Sequence, residues 1–165
     1  MTTSEQGNIA IIIQDKIATI TFSHPASNSF PSDLLQQLTK ELNAISKNPE
    51  VNVVILQSEG TTFCAGASFN ELLSIQTLAS GKKFFSGFAD VINAMRKCSK
   101  IIIGRVQGKA VGGGVGLISA CDIAYAYQDA AVKLSEIAIG IGPFVIEPAV
   151  SRKIGKTAMS EMTLQ

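Results

Sequence analysis

The stretch that decides the fold is Val106-Gln107-Gly108-Lys109-Ala110-Val111-Gly112-Gly113-Gly114-Val115-Gly116-Leu117. Glycine inside a helix costs about 1 kcal/mol relative to alanine, so three in succession at a predicted helix start need a reason. A helix N-terminus carries free N–H groups and a partial positive charge that stabilise an anion, and glycine lets a ligand approach that backbone closely. The alternative is that the glycines only allow tight packing of the helix against a neighbouring strand.

Strands alternate with helices on both sides of this stretch. Residues 101–106 are predicted to be a buried strand before it, and residues 123–127 and 131–134 are predicted to be strands after it. Residues 53–56 are wholly apolar, which is typical of a buried parallel strand. This alternation predicts an α/β fold with a largely parallel sheet.

The N-terminal half predicts a hairpin and two amphipathic helices. Residues 9–13 and 17–22 are β-branched runs, with Ala18, Ile20 and Phe22 on one face. Ser32 is the predicted cap of the first helix, which Asn48-Pro49 ends. Its apolar positions are Leu34, Leu35, Leu38, Leu42 and Ile45, and those of the second helix are Phe84, Phe85, Phe88, Val91, Ile92 and Met95. Residues 59–68 are predicted to be a loop, residues 69–78 a short helix, and residues 151–165 a helix after breaks at Pro143 and Pro148.

Composition excludes several classes of protein. The chain has 165 residues, 46% hydrophobic and 16% charged, with a mean hydropathy of +0.28, so it predicts one folded domain and not a disordered chain. A net charge of +1 provides no basic face for nucleic acid. The longest apolar stretch, residues 110–121, is shorter than the roughly 18 residues of a membrane span. We therefore expect neither a nucleic-acid nor a membrane partner.

Cysteine and histidine usage argues against a metal site. Cys64, Cys98 and Cys121 have no metal-ligand spacing, and His24 is the single histidine. The odd number of cysteines in apolar surroundings favours reduced thiols and a cytoplasmic location. Residues 1–8 are polar and lack a signal-peptide pattern.

Two further features carry candidate chemistry. Thr62-Phe63-Cys64-Ala65-Gly66-Ala67-Ser68 follows a buried strand, where small residues expose backbone N–H groups, although an ordinary turn would look the same. Glu136 lies among apolar residues, which would raise its pKa as a catalytic acid or base requires, although a solvated glutamate at a strand end is equally consistent. Two N–H groups and a carboxylate around one carbonyl would suit enolate chemistry on an acyl substrate.

In order and spacing, these motifs resemble those of the enoyl-CoA hydratase/isomerase (crotonase) family. The resemblance runs from the first hairpin to about Gly155, and its most specific parts are Phe63-Cys64-Ala65-Gly66-Ala67, Val111-Gly112-Gly113-Gly114, Ala120-Cys121-Asp122 and Ser135-Glu136-Ile137 with Gly140. It implies a crotonase-like spiral of β-β-α units forming a single core domain over residues 1–165. Family members continue into C-terminal helices that build a trimer and close the acyl site, and this chain is expected to lack that region. An interior left uncovered would expose a large apolar patch, so we expect the chain to associate with other copies, as a trimer or a dimer of trimers.

The resemblance also implies a substrate and the residues that would act on it. The substrate would be an acyl-CoA thioester of fatty acid metabolism. Ala67 and Gly113 would supply the oxyanion-hole N–H groups, and Glu136 would be the catalytic acid/base. The implied substrate contacts are Ala26, Ser27, Ala65, Gly66 and Gly112. No metal or redox cofactor is implied, since coenzyme A arrives as part of the substrate.

One departure leaves the reaction open. Family hydratases often carry a second glutamate two residues beyond the triple glycine, where this chain has Gly116. A single glutamate suits a double-bond isomerase, but bacterial relatives similar to methylglutaconyl-CoA hydratases share the Gly-Gly-Gly-Val-Gly and Gly-Ile-Gly-Pro-Phe patterns. Hydration, isomerisation and the acyl chain therefore stay undecided.

Two other classes compete with an acyl-CoA enzyme. A dinucleotide-binding module would use the glycine run, but Ile118 and Ser119 stand where GxGxxG requires its third glycine. A catalytically weak acyl-CoA-binding or assembly protein is favoured by Gly116. Loss of turnover in Glu136→Gln would argue against that second class.

Overall fold

The computed structural model describes residues 7–164, which form eight strands and five α-helices. The strands are β1 (Asn8–Gln14), β2 (Ile17–Ser23), β3 (Val53–Ser58), β4 (Thr62–Cys64), β5 (Ile101–Val106), β6 (Lys109–Val111), β7 (Ile123–Ala126) and β8 (Val132–Lys133). The helices are α1 (Ser32–Lys47), α2 (Phe69–Leu73), α3 (Leu78–Lys97), α4 (Gly113–Ala120) and α5 (Glu147–Leu164), with a 3-10 turn at Ile137–Ile139.

The strands form two sheets that the chain visits alternately. The larger sheet has the order β1-β2-β3-β5-β7, antiparallel between β1 and β2 and parallel elsewhere. The smaller sheet, β4-β6-β8, is parallel throughout. Each of the pairs β3/β4, β5/β6 and β7/β8 contributes one strand to each sheet, so the chain advances as a spiral. The predicted α/β class and the spiral of β-β-α units are confirmed.

The N-terminal hairpin follows its sequence pattern. Asp15 and Lys16 turn the chain with φ angles of 52° and 63°, the left-handed values of a tight two-residue hairpin. Ala18, Ile20 and Phe22 are fully buried on one face of β2, as predicted. Their burial fixes the strand register, because a slip by one residue would expose all three side chains.

The two long helices form the layer over the large sheet. α1 buries its predicted leucine and isoleucine positions, and α3 buries Phe88, Val91, Ile92 and Met95. The two helices pack against each other. The predicted cap is wrong in one detail: Pro31 is the N-cap residue, Ser32 is the first residue of α1, and neither side chain caps the helix. The Ser32 N–H and hydroxyl donate instead to the Glu71 carboxylate, at 3.0 and 2.5 Å.

The predicted loop over residues 59–68 is wrong in part, because it contains β4. The strand β6 was also not predicted, and α2 ends at Leu73 while Leu78 already begins α3. Three-residue strands are too short to display an alternating pattern. Their hydrogen-bond partners lie in distant parts of the sequence, so they form only when the second sheet assembles.

The C-terminal helix differs from its prediction at one proline and one glycine. Pro148 lies in the first turn of α5 and does not break it. The N–H groups of the first turn have no acceptor within the helix, so a proline there costs no hydrogen bond. Gly155 interrupts the helix with φ 81°. The predicted helical residue Gln165 lies outside the described residues. No helix in the described range 7–164 combines the length and hydropathy needed to cross a bilayer.

Candidate active site

The helix start predicted from the glycine run is present, and Gly112 shapes it. Gly112 adopts φ 52° immediately before α4, a left-handed conformation that favours glycine. Its N–H donates to the Lys133 carbonyl at 3.0 Å, and its carbonyl accepts from the Val115 N–H at 2.9 Å. Gly113 is then the first residue of α4, so its N–H has no acceptor within the helix.

A second backbone N–H is oriented by an isolated parallel bridge between Phe30 and Ala67. The Phe30 N–H donates to the Gly66 carbonyl at 2.8 Å, and the Ser68 N–H donates to the Phe30 carbonyl at 2.9 Å. Because the bridge uses the groups on either side of Ala67, the N–H of Ala67 itself points away from Phe30.

Gly66 brings the two loops together. It has φ 93°, and a methyl group built on it would lie 3.1 Å from the Val111 carbonyl oxygen and 3.6 Å from the Gly113 nitrogen. Only glycine combines this backbone conformation with so close an approach. The Ala67 and Gly113 backbones therefore share one wall of a cavity.

Glu136 supplies the carboxylate of this cavity. It is half-buried, and its Oε2 is buried with no hydrogen-bond partner. Burial raises the pKa of the Glu136 carboxyl, while the backbone N–H groups of Glu136 and Ser135 partly oppose that shift. The Glu136 carbonyl accepts the Ile139 and Ile141 N–H groups at 3.1 and 3.0 Å, which holds the segment after β8 in place.

The cavity has a volume of about 210 Å³ and is lined mainly by apolar side chains. Predicted site residues at its wall are Ala65, Gly66, Ala67, Gly112, Gly113 and Glu136. Its apolar lining is Phe69, Leu72, Phe84, Phe85, Phe88, Ile139, Ile141, Pro143, Val145 and Ile146. Glu136 is the only ionisable side chain among the described residues of this lining.

Two predicted substrate contacts lie outside the cavity. Ala26 and Ser27 are exposed in the loop after β2. The Ser27 carbonyl accepts the Ala65 N–H at 3.1 Å, so this loop is adjacent to the cavity wall without lining it. Asn28 anchors the loop through its side-chain amide, which donates to the Glu59 and Thr62 carbonyls at 2.7 Å each.

Several wall residues were not predicted as functional. Phe88 was assigned only to the core, yet a methyl group on Gly113 would collide with its ring. Phe84 and Phe85 were likewise treated only as helix markers. The sequence of residues 139–146 gave no indication that their side chains line a cavity, because a loop has no periodicity that shows which side chains point inward.

Cys64 precedes the cavity residue Ala65 and is fully buried. Burial raises the pKa of the Cys64 thiol to about 12, so Cys64 stays protonated and is not a nucleophile at neutral pH. Among residues 7–164, no three His, Cys, Asp or Glu side chains cluster in a way that could hold a metal ion.

Two backbone N–H donors and one carboxylate in an apolar cavity can polarise a carbonyl and move a proton beside it. The family model for enoyl-CoA hydratase/isomerase matches residues 12–165. The chain belongs to the enoyl-CoA hydratase/isomerase family.

Relatives of known name carry out different reactions. The chain is 33% identical over 160 residues to the bacillaene synthase dehydratase PksH of Bacillus subtilis, covering 94% of this chain and 61% of that protein. It is 32% identical over 154 residues to the short-chain-enoyl-CoA hydratase of Clostridium acetobutylicum, covering 92% and 59%. It is 33% identical over 125 residues to the peroxisomal Delta(3,5)-Delta(2,4)-dienoyl-CoA isomerase of Arabidopsis thaliana, covering 69% and 45%.

Solved structures agree with the fold. A Legionella pneumophila enoyl-CoA hydratase/isomerase superposes with a TM-score of 0.91 at 30% identity, covering 96% of this chain and 62% of that one. An enoyl-CoA hydratase of Mycobacterium smegmatis superposes with a TM-score of 0.91 at 28% identity, covering 95% of this chain and 62% of that one. The chain thus spans less than two thirds of the length of these relatives.

Proposed function

We propose that this protein binds acyl-CoA thioesters and stabilises their enolate form, with Glu136 as the acid/base. The observation that supports this most directly is that Ala67, Gly113 and the unpartnered Oε2 of Glu136 share one apolar cavity. In that arrangement the thioester oxygen accepts a hydrogen bond from each N–H group, and the Glu136 carboxylate faces the α-carbon of the acyl group.

The proposed chemistry uses only groups of the chain. As Glu136 removes a proton from the α-carbon, negative charge moves to the thioester oxygen, where the Ala67 and Gly113 N–H groups stabilise it. Loss of one such donor typically costs about 3–4 kcal/mol of transition-state stabilisation. The apolar wall lowers the local dielectric constant, which strengthens these electrostatic interactions. No metal or redox cofactor is needed for this step, and coenzyme A enters as part of the substrate.

The coenzyme A portion would contact the loops around the cavity entrance. We assign the contacts to Ala65, Gly66 and Gly112 at the wall and to Ala26 and Ser27 in the adjoining loop. The Ser27 to Ala65 hydrogen bond supports this assignment, because it couples the exposed loop to the wall.

Within this chemistry we favour double-bond isomerisation over hydration. Glu136 is the single ionisable side chain of the described lining. Isomerisation of a 3-enoyl thioester requires one group that takes the proton from C2 and returns it to C4, while the double bond moves to C2–C3. Hydration additionally requires an activated water.

The test is turnover of a small panel of 2-enoyl and 3-enoyl thioesters in heavy water. Deuterium in the carbon chain without added oxygen indicates isomerisation, and oxygen from labelled water indicates hydration. Both reactions should disappear in Glu136→Gln while acyl-CoA binding persists. Binding without turnover in the native chain would instead favour the acyl-CoA-binding or assembly role. Absence of both binding and turnover would contradict the proposed function.

A further inference from the structure

The space beside Gly116, on the buried side of α4, is filled by two isoleucines. A methyl group built on Gly116 would lie 2.6 Å from Ile146 Cγ2, 3.0 Å from Ile146 Cβ and 3.1 Å from Ile92 Cδ1. Ile146 and Ile92 are only 3% and 5% exposed. Because the clash reaches the Ile146 Cβ, a side chain at position 116 would require movement of the Ile146 backbone.

Ile146 is held firmly where the chain enters α5. Its N–H donates to the Pro143 carbonyl at 3.1 Å. Its carbonyl accepts the N–H groups of Ala149 and Val150 at 3.0 and 3.1 Å. The backbone of Ile146 cannot move aside without loss of these bonds, so the position of its Cβ in the wall is fixed.

The same side chain lines the cavity that contains Glu136. Gly116 and Ile92 are not at the cavity surface, so Ile146 separates them from the bound acyl group. An aliphatic wall offers no hydrogen bond to a water and no second proton donor or acceptor. The chemistry available beside Glu136 is therefore limited by what Ile146 excludes.

We propose that Ile146, packed over Gly116, determines reaction specificity by filling the space from which a second acid/base group, or a water held by one, could reach the acyl group. The proposal rests on the proposed function and deepens it. With Ile146 in place, Glu136 takes a proton from C2 of a 3-enoyl thioester and returns it to C4, so no atom is gained or lost. Water addition would additionally require a polar group that holds and activates the water, and the two isoleucines fill the space beside Gly116 where such a group could stand.

The test compares Ile146→Ala with Ile45→Ala as a matched control. Ile45 is 4% exposed in α1 and does not line the cavity, so both variants remove the same buried atoms. Each variant and the native chain receive 3-hexenoyl-CoA and 2-hexenoyl-CoA in labelled water. We expect the ratio of hydration to isomerisation to rise by about tenfold or more in Ile146→Ala and to stay unchanged in Ile45→Ala.

A stability measurement checks the packing independently of turnover. Gly116→Ala should destabilise the native chain, and much of that loss should be absent when Gly116→Ala is combined with Ile146→Ala. Strictly additive effects would overturn the proposed packing.

Kinetic outcomes separate this proposal from the proposed function. An active native chain whose product ratio does not respond to Ile146→Ala overturns the specificity role alone. A native chain that already favours hydration over isomerisation also overturns the specificity role of Ile146 alone. A native chain that neither binds nor converts either thioester overturns the proposed function and this inference together.

Discussion

At the scale of single residues, Gly112 determines where the Glu136 carboxylate can lie. A methyl group on Gly112 would be 3.0 Å from Glu136 Oε1 and 3.6 Å from its Cδ. Gly112 also has φ 52°. Glycine is therefore required here for two reasons: it adopts this backbone conformation, and it has no side chain to displace the carboxylate. The glycine run is thus explained by contact with the carboxylate as well as by the helix start.

Gly112→Ala should lower kcat on an enoyl-CoA by about tenfold or more, because the methyl group displaces the carboxylate from the reacting carbon. Binding of a saturated acyl-CoA should change less. Gly60→Ala is the matched control, since Gly60 has φ 74° but nothing within 4 Å of the added methyl group. Equal losses of kcat in both variants would show that backbone strain, and not the contact with Glu136, is responsible.

Glu136→Gln should stabilise the protein at neutral pH. The folded state raises the pKa of this carboxyl by desolvation, so folding disfavours its ionised form. Between the unfolded and folded pKa values the folded state binds more protons, and native stability falls as pH rises through that window. The amide is neutral throughout, so its advantage should be present above the folded pKa and vanish below the unfolded value of about 4.3.

Urea unfolding at several pH values measures this difference. Glu50→Gln is the control, because Glu50 is an exposed glutamate on a turn. A stability difference for Glu136→Gln that does not depend on pH would contradict a raised pKa. The same shift predicts that the acidic limb of the kcat/KM profile lies above the usual glutamate range, since the base must be ionised.

At the scale of elements, α2 closes the N-terminus of α1. Ser68 caps α2 by accepting the Glu71 N–H, and the Glu71 carboxylate then accepts three hydrogen bonds from Ser32. A carboxylate at a helix N-terminus is also favoured by the helix dipole. The short α2, which contributes Phe69 and Leu72 to the cavity wall, is therefore positioned by α1.

Glu71→Ala should destabilise the protein by about 0.5–2 kcal/mol, the usual effect of losing a helix cap. Asn70→Ala changes an exposed neighbour in the same helix and should have a smaller effect. Chemical denaturation gives both values. An unchanged midpoint for Glu71→Ala would show that the contact contributes nothing to folding.

Across the whole molecule, one face of the large sheet carries exposed apolar side chains. Strand pairing places Ile12, Thr19, Ile55, Ile103 and Ile123 in one row across this face. Ile12 and Ile123 are 65% and 48% exposed. An exposed and mainly apolar patch of this kind is typical of an interaction surface, which favours the predicted homo-oligomer.

Ile123→Asp should therefore weaken self-association of the chain, because it introduces a charge into that patch. Sedimentation velocity over a range of concentrations would measure the change. Ile154→Asp, which is exposed on α5, should leave association unaffected. Monomeric behaviour of the native chain at every concentration would contradict the prediction.

The sequence by itself determined the elements with strong local patterns. The β2 face of Ala18, Ile20 and Phe22, the apolar stripe of α1 and the glycine-rich start of α4 all follow from periodicity or from backbone conformation, which neighbouring residues dictate. The family followed from the order of its motifs. One domain over residues 1–165 and a cytoplasmic location stay predictions.

Only the tertiary structure decided which distant groups meet. The strands β4, β6 and β8 form by pairing with one another, and that pairing brings Ala67, Gly113 and Glu136 to one cavity. The resemblance had led us to expect that meeting, but nothing in the sequence indicated the aromatic wall or the placement of Ile146 against Gly116. Such contacts depend on how the spiral superimposes separate turns of chain, and no local preference encodes a neighbour that lies thirty residues away, as Ile146 does from Gly116.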